Sequence, residues 1–431
     1  MHGRPAQPDP EGMYTSTPTT DAPPREPLLT SSFVRLSLAD LAYFTAAGVS
    51  ILALPLYVTG PLGSDAAGAG IAFGAFALSA LLLRPVVGRL CDAWGRAPLM
   101  IGGGILAATT LALTAHADSL ALVVALRLLL GVAEAAFFVA SLAALADLAP
   151  SSRRGEALSY NSLGLYLGIT LGPPLGELLI RTVGFTGAWY GAGVLALGAA
   201  AVAGSIGETR PSGPVSDSDT TRRPAWIHRP AIGPGLGFLA SVIAMGGFLA
   251  FATLRAESIA MPNVSLPLLV YGCVVVVGRV AFARVVDRLP ALALGAGSLA
   301  TIAAGLLLMA GLRTPLALIA GSALMGAGVT FSTPAFFSAI FATATPRERG
   351  VASGTASMAL DLGLGAGPMV LGLTAAAVGT SWAFGVAAGI AVVGALWTWS
   401  LSPRRAGPRH LAPAPAPDLT ARRRTPGSPS R

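Results

Sequence analysis

The sequence predicts an all-α membrane protein of twelve transmembrane helices arranged as two homologous sets of six. Three observations lead there. The chain of 431 residues is 53% apolar and only 11% charged, where an ordinary soluble domain carries about 25% charged residues. Apolar blocks close to the ~20 residues needed to cross hydrocarbon follow one another from about Phe33 to Leu401. A pattern of charged and small residues in the first half of the chain returns in the second half at one constant offset.

Residues 1–32 hold Pro, Thr and acids without the apolar stretch of a cleaved signal peptide, and read as a disordered cytoplasmic tail. The first six spans are expected at 36–58, 68–88, 98–114, 119–147, 156–180 and 187–206, a bundle covering 33–206. A polar linker over 207–231, the only long polar interruption, divides the chain. The second six are expected at 234–254, 265–285, 290–310, 316–342, 351–376 and 382–401, within 232–402. Residues 403–431, rich in Pro, Ala and Arg, form a disordered basic tail suited to lie near anionic lipid.

Alternate connections differ in charge. One set carries Arg89, Arg96, Arg153, Arg154, Arg210, Arg222, Arg223, Arg229, Arg284, Arg288, Arg347 and Arg349; the other carries only Arg181, Arg255 and Arg313. An excess of arginine marks the cytoplasmic side, so both termini are expected there, which an even number of spans permits. The net charge of +8 is thus distributed by topology and not gathered on one face, which argues against nucleic acid. Cys91 and Cys273 fall in or beside spans toward the cytoplasmic half, which argues against a disulfide framework.

Shifting the second half by 195 positions, without gaps, places Arg84 on Arg279, Arg89 on Arg284 and Asp92 on Asp287. It also places Gly131 on Gly326, Arg154-Gly155 on Arg349-Gly350, Gly168 on Gly363, and Gly172-Pro173 on Gly367-Pro368. Two like-oriented halves around an axis along the membrane normal, enclosing a midplane site, describe a rocking transporter.

These residues carry a resemblance. "GRLCDAWGR" resembles the loop signature between the second and third helices of the major facilitator superfamily, met at Gly88, Leu90, Asp92, Gly95 and Arg96. "RLLLGVAEA" is similar to its fourth-helix motif at Arg127 and Gly131, with Leu130 where the motif has Gln. "GLYLGITLGPPLG" resembles the fifth-helix pattern of the drug:proton antiporter branch at Gly164, Gly168, Gly172, Pro173 and Gly176. The resemblance spans Leu36 to Leu401 and implies alternating access, with proton-driven efflux favoured by the fifth-helix pattern.

Gly88 and Gly95 leave room for another backbone, and Asp92 suits the positive N-terminal end of a neighbouring helix. The resemblance implies that this neighbour is the eleventh span, which starts near Gly350, and that Arg96 pairs with Asp147. The knot then latches the two halves; the alternative is that these charges only set loop topology. The echo "ARVVDRLP" keeps Arg284 and Asp287 but has Pro290 for the second Gly, and Ala342 stands at the match of Asp147, so a complete second latch is not expected.

Glu134 lies about 20 Å along its helix from Asp147, and Arg127 about 10 Å farther, both on one face. Charges at that depth cost roughly 3 kcal/mol or more unless paired or hydrated. Either Glu134 carries a proton or meets a cationic substrate group with Arg127 tuning it, or the two form an ion pair within the helix. Asp361, about 15 Å from Gly350, is the other deep acid; its repeat partner is Tyr166. It serves either as an unpaired proton carrier or as a protonated structural group. Gly164, Gly168 and Gly172 offer a small face every turn, with Asn161 on that face and Pro173 as a kink; Gly363, Gly367 and Pro368 match them, for packing and as a hinge. Glu177 is expected at the outer surface. Tyr57, Trp189 and Trp382 fit interfacial belts, and aromatics such as Tyr43, Phe44, Phe137 and Phe138 suit either a greasy cavity or packing.

No Gly-rich nucleotide loop, no metal-ligand spacing of His and Cys, and no Ser/His/acid group at one depth is present, His116 and His228 standing alone in loops. The reading is a non-enzyme without a cofactor or metal, a monomer driven by the proton gradient in a bacterial inner membrane. Its partners are protons, lipid and a small molecule. Proton-coupled uptake of a sugar or other metabolite, and a non-transporting membrane sensor or scaffold, are the alternatives.

Overall fold

The computed structural model describes residues 29–150, 153–210, 227–282, 288–345 and 348–402. The predicted tails beyond these limits, together with Arg222, Arg223, Arg284, Asp287 and Arg347, lie outside the described residues. The helices are α1 (Ser31–Thr59), α2 (Ala66–Trp94), α3 (Arg96–Thr114), α4 (Leu120–Leu148), α5 (Arg154–Gly204), α6 (Ile232–Ser258), α7 (Leu266–Ala281), α8 (Ala291–Gly311), α9 (Pro315–Phe341), α10 (Arg349–Val378) and α11 (Thr380–Leu401). Ten of the described helices are long and apolar enough to cross a membrane, and α7 is a shorter apolar helix. This is a multi-pass membrane protein.

Boundaries follow local chemistry. Thr30, Asp65, Ser119 and Thr314 cap α1, α2, α4 and α9 by accepting a backbone N–H three residues on. Gly95, at φ 101°, turns the chain between α2 and α3, and Gly379, at φ 95°, does so between α10 and α11. The break expected between 180 and 187 is not a loop: Gly184, at φ 76° and ψ −178°, bends the continuous run of α5 into two arms.

Helices α1, α3, α4 and α5 pack chiefly on one another and on α2; α6, α8, α9 and α11 do likewise with α7 and α10. The two sets meet along α2 with α10, α5 with α7, and α1 with α6. Small residues permit the closest approaches. A methyl group on Gly172 would lie 2.6 Å from the Gly48 carbonyl carbon, and one on Gly168 would lie 2.8 Å from backbone atoms of Phe44 and Thr45, so α1 and α5 touch backbone to backbone. In the second set Gly363 and Gly367 face Val242 and Ile243 of α6, and the Pro368 turn is held between Gly246 of α6 and Gly70 of α2.

The sequence repeat is also a repeat of contacts. Gly131 abuts the Phe76 carbonyl and Ser79, and Gly326 abuts the Tyr271 carbonyl and Val274. Gly103 meets the carbonyl of Ala133 as Gly328 meets that of Ser298, and Gly172 meets Gly48 as Gly367 meets Ile243. Each member of the second contact stands 195 positions after its counterpart.

Two belt residues are corrected. Trp189 and Tyr57 are buried, packed edge to face at 5.7 Å, and Tyr57 donates to the Ala117 carbonyl at 2.8 Å. Buried ring bodies with a satisfied hydroxyl favour the core over the interface. Trp382, 66% exposed, keeps its outward position.

Candidate functional site

Between the two sets lies a cavity of about 310 Å³, walled by aromatic and aliphatic side chains, among which Arg84, Arg127, Glu134 and Asp361 place four charges. Tyr43, Phe44 and Phe138 line it, whereas Phe137 is fully buried behind the wall, stacked on Tyr43 at 4.1 Å between ring centres.

Arg84 organises the charges. It stands in the apolar run "LLLRPVV" of α2, where a guanidinium must find partners within the protein. Its Nη2 donates to Asp361 Oδ1 of α10 at 2.9 Å, and its Nε stands 2.7 Å from Oδ2, a charge contact without the alignment of a hydrogen bond. Nη2 is also 3.5 Å from Glu134 Oε1 of α4, and the guanidinium lies 5.2 Å from the Phe138 ring centre. One arginine is thus shared by an acid of its own set and an acid of the other. Glu134 Oε2 is buried and has no hydrogen-bond partner among the described residues.

One alternative for each deep acid, the ion pair within α4 and the unpaired carboxylate, does not match the contacts made. Asp361 is paired with Arg84. Arg127 and Glu134 form no ion pair with each other, because two helical turns separate them by about 10 Å and each has a nearer partner. Arg127 donates from Nη1 to Ser50 Oγ at 2.8 Å and from Nε to the Ala72 carbonyl at 3.3 Å, with its guanidinium 5.0 Å from the Phe76 ring centre.

Tyr166, the repeat partner of Asp361, lines the same cavity and receives the repeat partner of Arg84: Arg279 Nη2 donates to the Tyr166 hydroxyl at 2.7 Å, with the guanidinium 4.1 Å from the ring centre. The two contacts between sets therefore obey the 195-residue shift, with a carboxylate in one and a phenol in the other. Sequence reading used Arg84 and Arg279 only as anchors. Their depth in apolar runs was the signal that they needed partners.

Two further polar groups went unread. Asp40 of α1, 2% exposed, accepts from Ser141 Oγ at 2.8 and 2.9 Å and from Asn161 Nδ2 at 2.6 Å, tying α1 to α4 and α5. At the loop between α2 and α3, Arg96 Nε meets Asp147 Oδ2 at 2.9 Å, the contact expected of the latch. The linker joins it: Glu208 accepts from the backbone N–H of Arg96, Ala97, Thr209 and Arg210, and Arg210 donates to the carbonyls of Asp92 and Ala93. Partial burial pushes the Glu208 carboxyl up, but these four donors pull it below the usual carboxylate range.

Asp92 does not reach α10. Its carboxylate is 76% exposed and its ion-pair partner is Arg96, at 3.8 Å. Methyl groups on Gly88, Gly350 or Gly354 would meet nothing within 4 Å among the described residues, so no described backbone comes close to Gly88. At the opposite end polar contacts join the two sets. Glu177, expected at the outer surface and not in a binding site, does not line the cavity; it is buried and accepts from the N–H of Val264 and Ser265 at 3.1 and 2.9 Å, just before α7 begins. Arg181, paired with Glu177 at 2.5 Å, donates to the Pro262 carbonyl. His228 is likewise buried, its backbone N–H donating to Thr355 Oγ1 at 3.0 Å and its ring Nε2 lying 3.1 Å from the Thr343 carbonyl. His116 Nε2 pairs with the Tyr190 hydroxyl at 2.7 Å.

The family model of the Major Facilitator Superfamily matches residues 36–368, and a second match covers 312–427. The chain belongs to this superfamily. Superfamily relatives include an uncharacterized MFS-type transporter of Salmonella typhimurium, 27% identical over 383 residues, covering 84% of this chain and 94% of the relative. One of Burkholderia pseudomallei is also 27% identical over 383 residues, covering 86% and 92%. Among solved structures, a bacterial homologue of the human lysosomal transporter Spinster, inward-facing and unoccupied, aligns with TM-score 0.70 at 14% identity over 87% of this chain and 97% of the other. The nucleoside transporter NupG aligns with TM-score 0.69 at 15% identity over 87% and 100%. These two likenesses are of fold. Membership makes the chain a membrane transporter and not an enzyme.

Proposed function

We propose that this transporter exports a small organic molecule in exchange for protons by alternating access. The observation that carries the reading is Arg84, shared at the cavity wall between Glu134 of its own set and Asp361 of the other. A proton delivered to Asp361 cancels the charge that draws Arg84 across the gap and leaves the guanidinium to Glu134, which loosens α2 from α10. The repeat-related Arg279–Tyr166 contact has a phenol where this one has a carboxylate, so only one of the two bridges offers the proton a carboxylate. Driving force comes from the gradient alone, without a cofactor.

In this reading the two arms of α5 count as two spans, which with α7 brings the total to twelve in two six-helix bundles, one within 33–206 and one within 232–402. Arginine-rich connections place both termini and the linker in the cytoplasm of a bacterial inner membrane. The end at Gly88, Gly350 and Gly354 then lies toward the cytoplasm, and the Glu177–Arg181 clasp joins the two sets at the outside. Asp92 reaches the start of α10 only in the opposite, outward-open arrangement, where the loop completes its latch; Gly164, Gly168, Gly172 and Pro173, with Gly363, Gly367 and Pro368, serve as packing and hinge surfaces for that motion. Export is supported by the Gly-Pro pattern of α5.

Proton flux in inside-out vesicles containing the protein as a monomer tests the reading. Addition of a transported dye or drug is expected to dissipate an imposed pH gradient, and Asp361→Asn or Glu134→Gln to abolish that response. Dissipation undiminished in both variants, or none with any dye, drug or sugar, refutes it. Flux seen only with gradient and substrate arranged for uptake would instead establish symport.

A further inference from the structure

The cavity wall formed by α4 has two ends that lack opposite things. Arg127 has no carboxylate within ion-pair distance among the described residues; its hydrogen bonds go to a neutral hydroxyl and a neutral carbonyl, Ser50 and Ala72. Glu134, 7% exposed, has one oxygen with no hydrogen-bond partner among the described residues, while the other competes with Asp361 for Arg84. Both side chains line the cavity. Seven residues of helix set them about 10 Å apart on one face.

What lies between is apolar. Leu130 stands midway on α4, Phe76 and Phe138 lie under the guanidinium groups of Arg127 and Arg84, and Tyr43 completes the wall. A buried charge without its opposite is costly, and so is a buried oxygen without a donor. Water can meet these needs in the empty cavity, and a ligand must meet them once it displaces that water. The four cavity charges, two arginines and two acids, balance. A singly charged ligand would disturb that balance and a dipolar one would not. A volume of about 310 Å³ stands near the lower limit of small-molecule sites, which run from roughly 300 to 1,000 Å³.

We infer that the substrate is a bipolar amphiphile, with an aromatic or aliphatic body, an amine or other cationic donor that meets Glu134, and a carboxylate or similar anion about 10 Å away that meets Arg127. The inference rests on the reading of this cavity as the substrate site. It assigns Arg127 the choice between zwitterions and plain cations, and Glu134 the recognition of the donor.

Binding to the purified full chain, measured by calorimetry at neutral pH without a proton gradient, tests it with three probes on one skeleton. Norfloxacin carries an amine and a carboxylate at opposite ends of a flat aromatic body; its ethyl ester keeps only the cationic amine, and N-acetylnorfloxacin keeps only the carboxylate. Norfloxacin is expected to bind about tenfold or more tightly than either relative, the worth of one charged hydrogen bond. Arg127→Gln should erase its advantage over the ester and spare that over the N-acetyl compound, and Glu134→Gln should do the reverse. Failure of norfloxacin to outbind both relatives in the natural protein overturns the inference, as does an equal loss for all three probes in Arg127→Gln. Should a variant not fold, the three-probe comparison in the natural protein decides alone. Dye-driven proton flux with no preference for the zwitterion would overturn this inference and leave proton-coupled export standing; the preference without any proton flux would do the opposite.

Discussion

Replacing Arg84 by Leu strands two carboxylates in the membrane interior. Glu134 Oε1 loses a guanidinium at 3.5 Å and Asp361 loses contacts at 2.7 and 2.9 Å. Removing one partner of a buried pair costs about 3–5 kcal/mol. Arg84 is 19% exposed, and the stranded acids can take up protons, so the lower figure, ~3 kcal/mol, applies. Asp361→Asn is milder, at roughly 1–2 kcal/mol, because Arg84 keeps Glu134 as its partner. In the double variant Arg84→Leu/Asp361→Asn only Glu134 is left unpaired, which makes the pair of changes less damaging than their sum by about 2 kcal/mol. Thermal midpoints of the four proteins in detergent, with substrate absent, check this order: natural protein, Asp361→Asn, double variant, Arg84→Leu. The reasoning is refuted if Asp361→Asn melts below Arg84→Leu, or if the double variant loses the full sum of the two single losses.

Three more outcomes follow from the packing and the caps. A methyl group at Gly172 has no room against Gly48, whereas one at Gly88 meets nothing; Gly172→Ala should lower the melting midpoint by the equivalent of about 1–3 kcal/mol, and Gly88→Ala should change it by less than about 0.5 kcal/mol. Glu177→Ala leaves the backbone N–H groups of Val264 and Ser265 without their acceptor, at a cost of about 1 kcal/mol; thiol labelling of a cysteine introduced at Ser265, buried in the natural protein, should accelerate when the clasp is removed. Glu208, whose carboxyl is held below its usual range, contributes stability above its unfolded titration point and loses it as pH falls through the lower folded value. Glu208→Gln should therefore destabilise by about 0.3–1 kcal/mol near neutral pH, the scale of an exposed charge at a helix N-terminus. The gap from the natural protein, read from melting curves across pH, should close on acidification.

Much of the architecture is legible in the sequence. Hydropathy marked the helices, because in hydrocarbon a backbone must satisfy its own hydrogen bonds and a run of apolar side chains can do so only as a helix. The Arg96–Asp147 contact was legible only through the resemblance that the loop motif carries, and the helix ends then hold the two side chains where they meet. Partnerships between deep charges were not. Arg127 and Glu134 share a face, which left an ion pair between them as one of two readings, yet Ser50 of α1 and Arg84 of α2 stand nearer to them. Asp361 looked solitary because its partner lies 277 positions earlier in the chain.

The sequence by itself determined that this protein crosses a membrane many times, that its arginines gather in alternate connections, and that its second half repeats its first at 195 positions. Those properties depend on composition and spacing along the chain, which folding does not alter. Only the tertiary structure decided that Arg84 with Asp361 and Arg279 with Tyr166 are the same contact made twice, once with an acid and once with a phenol. Such a contact depends on which helices become neighbours, and helix packing brings together residues that no local pattern links.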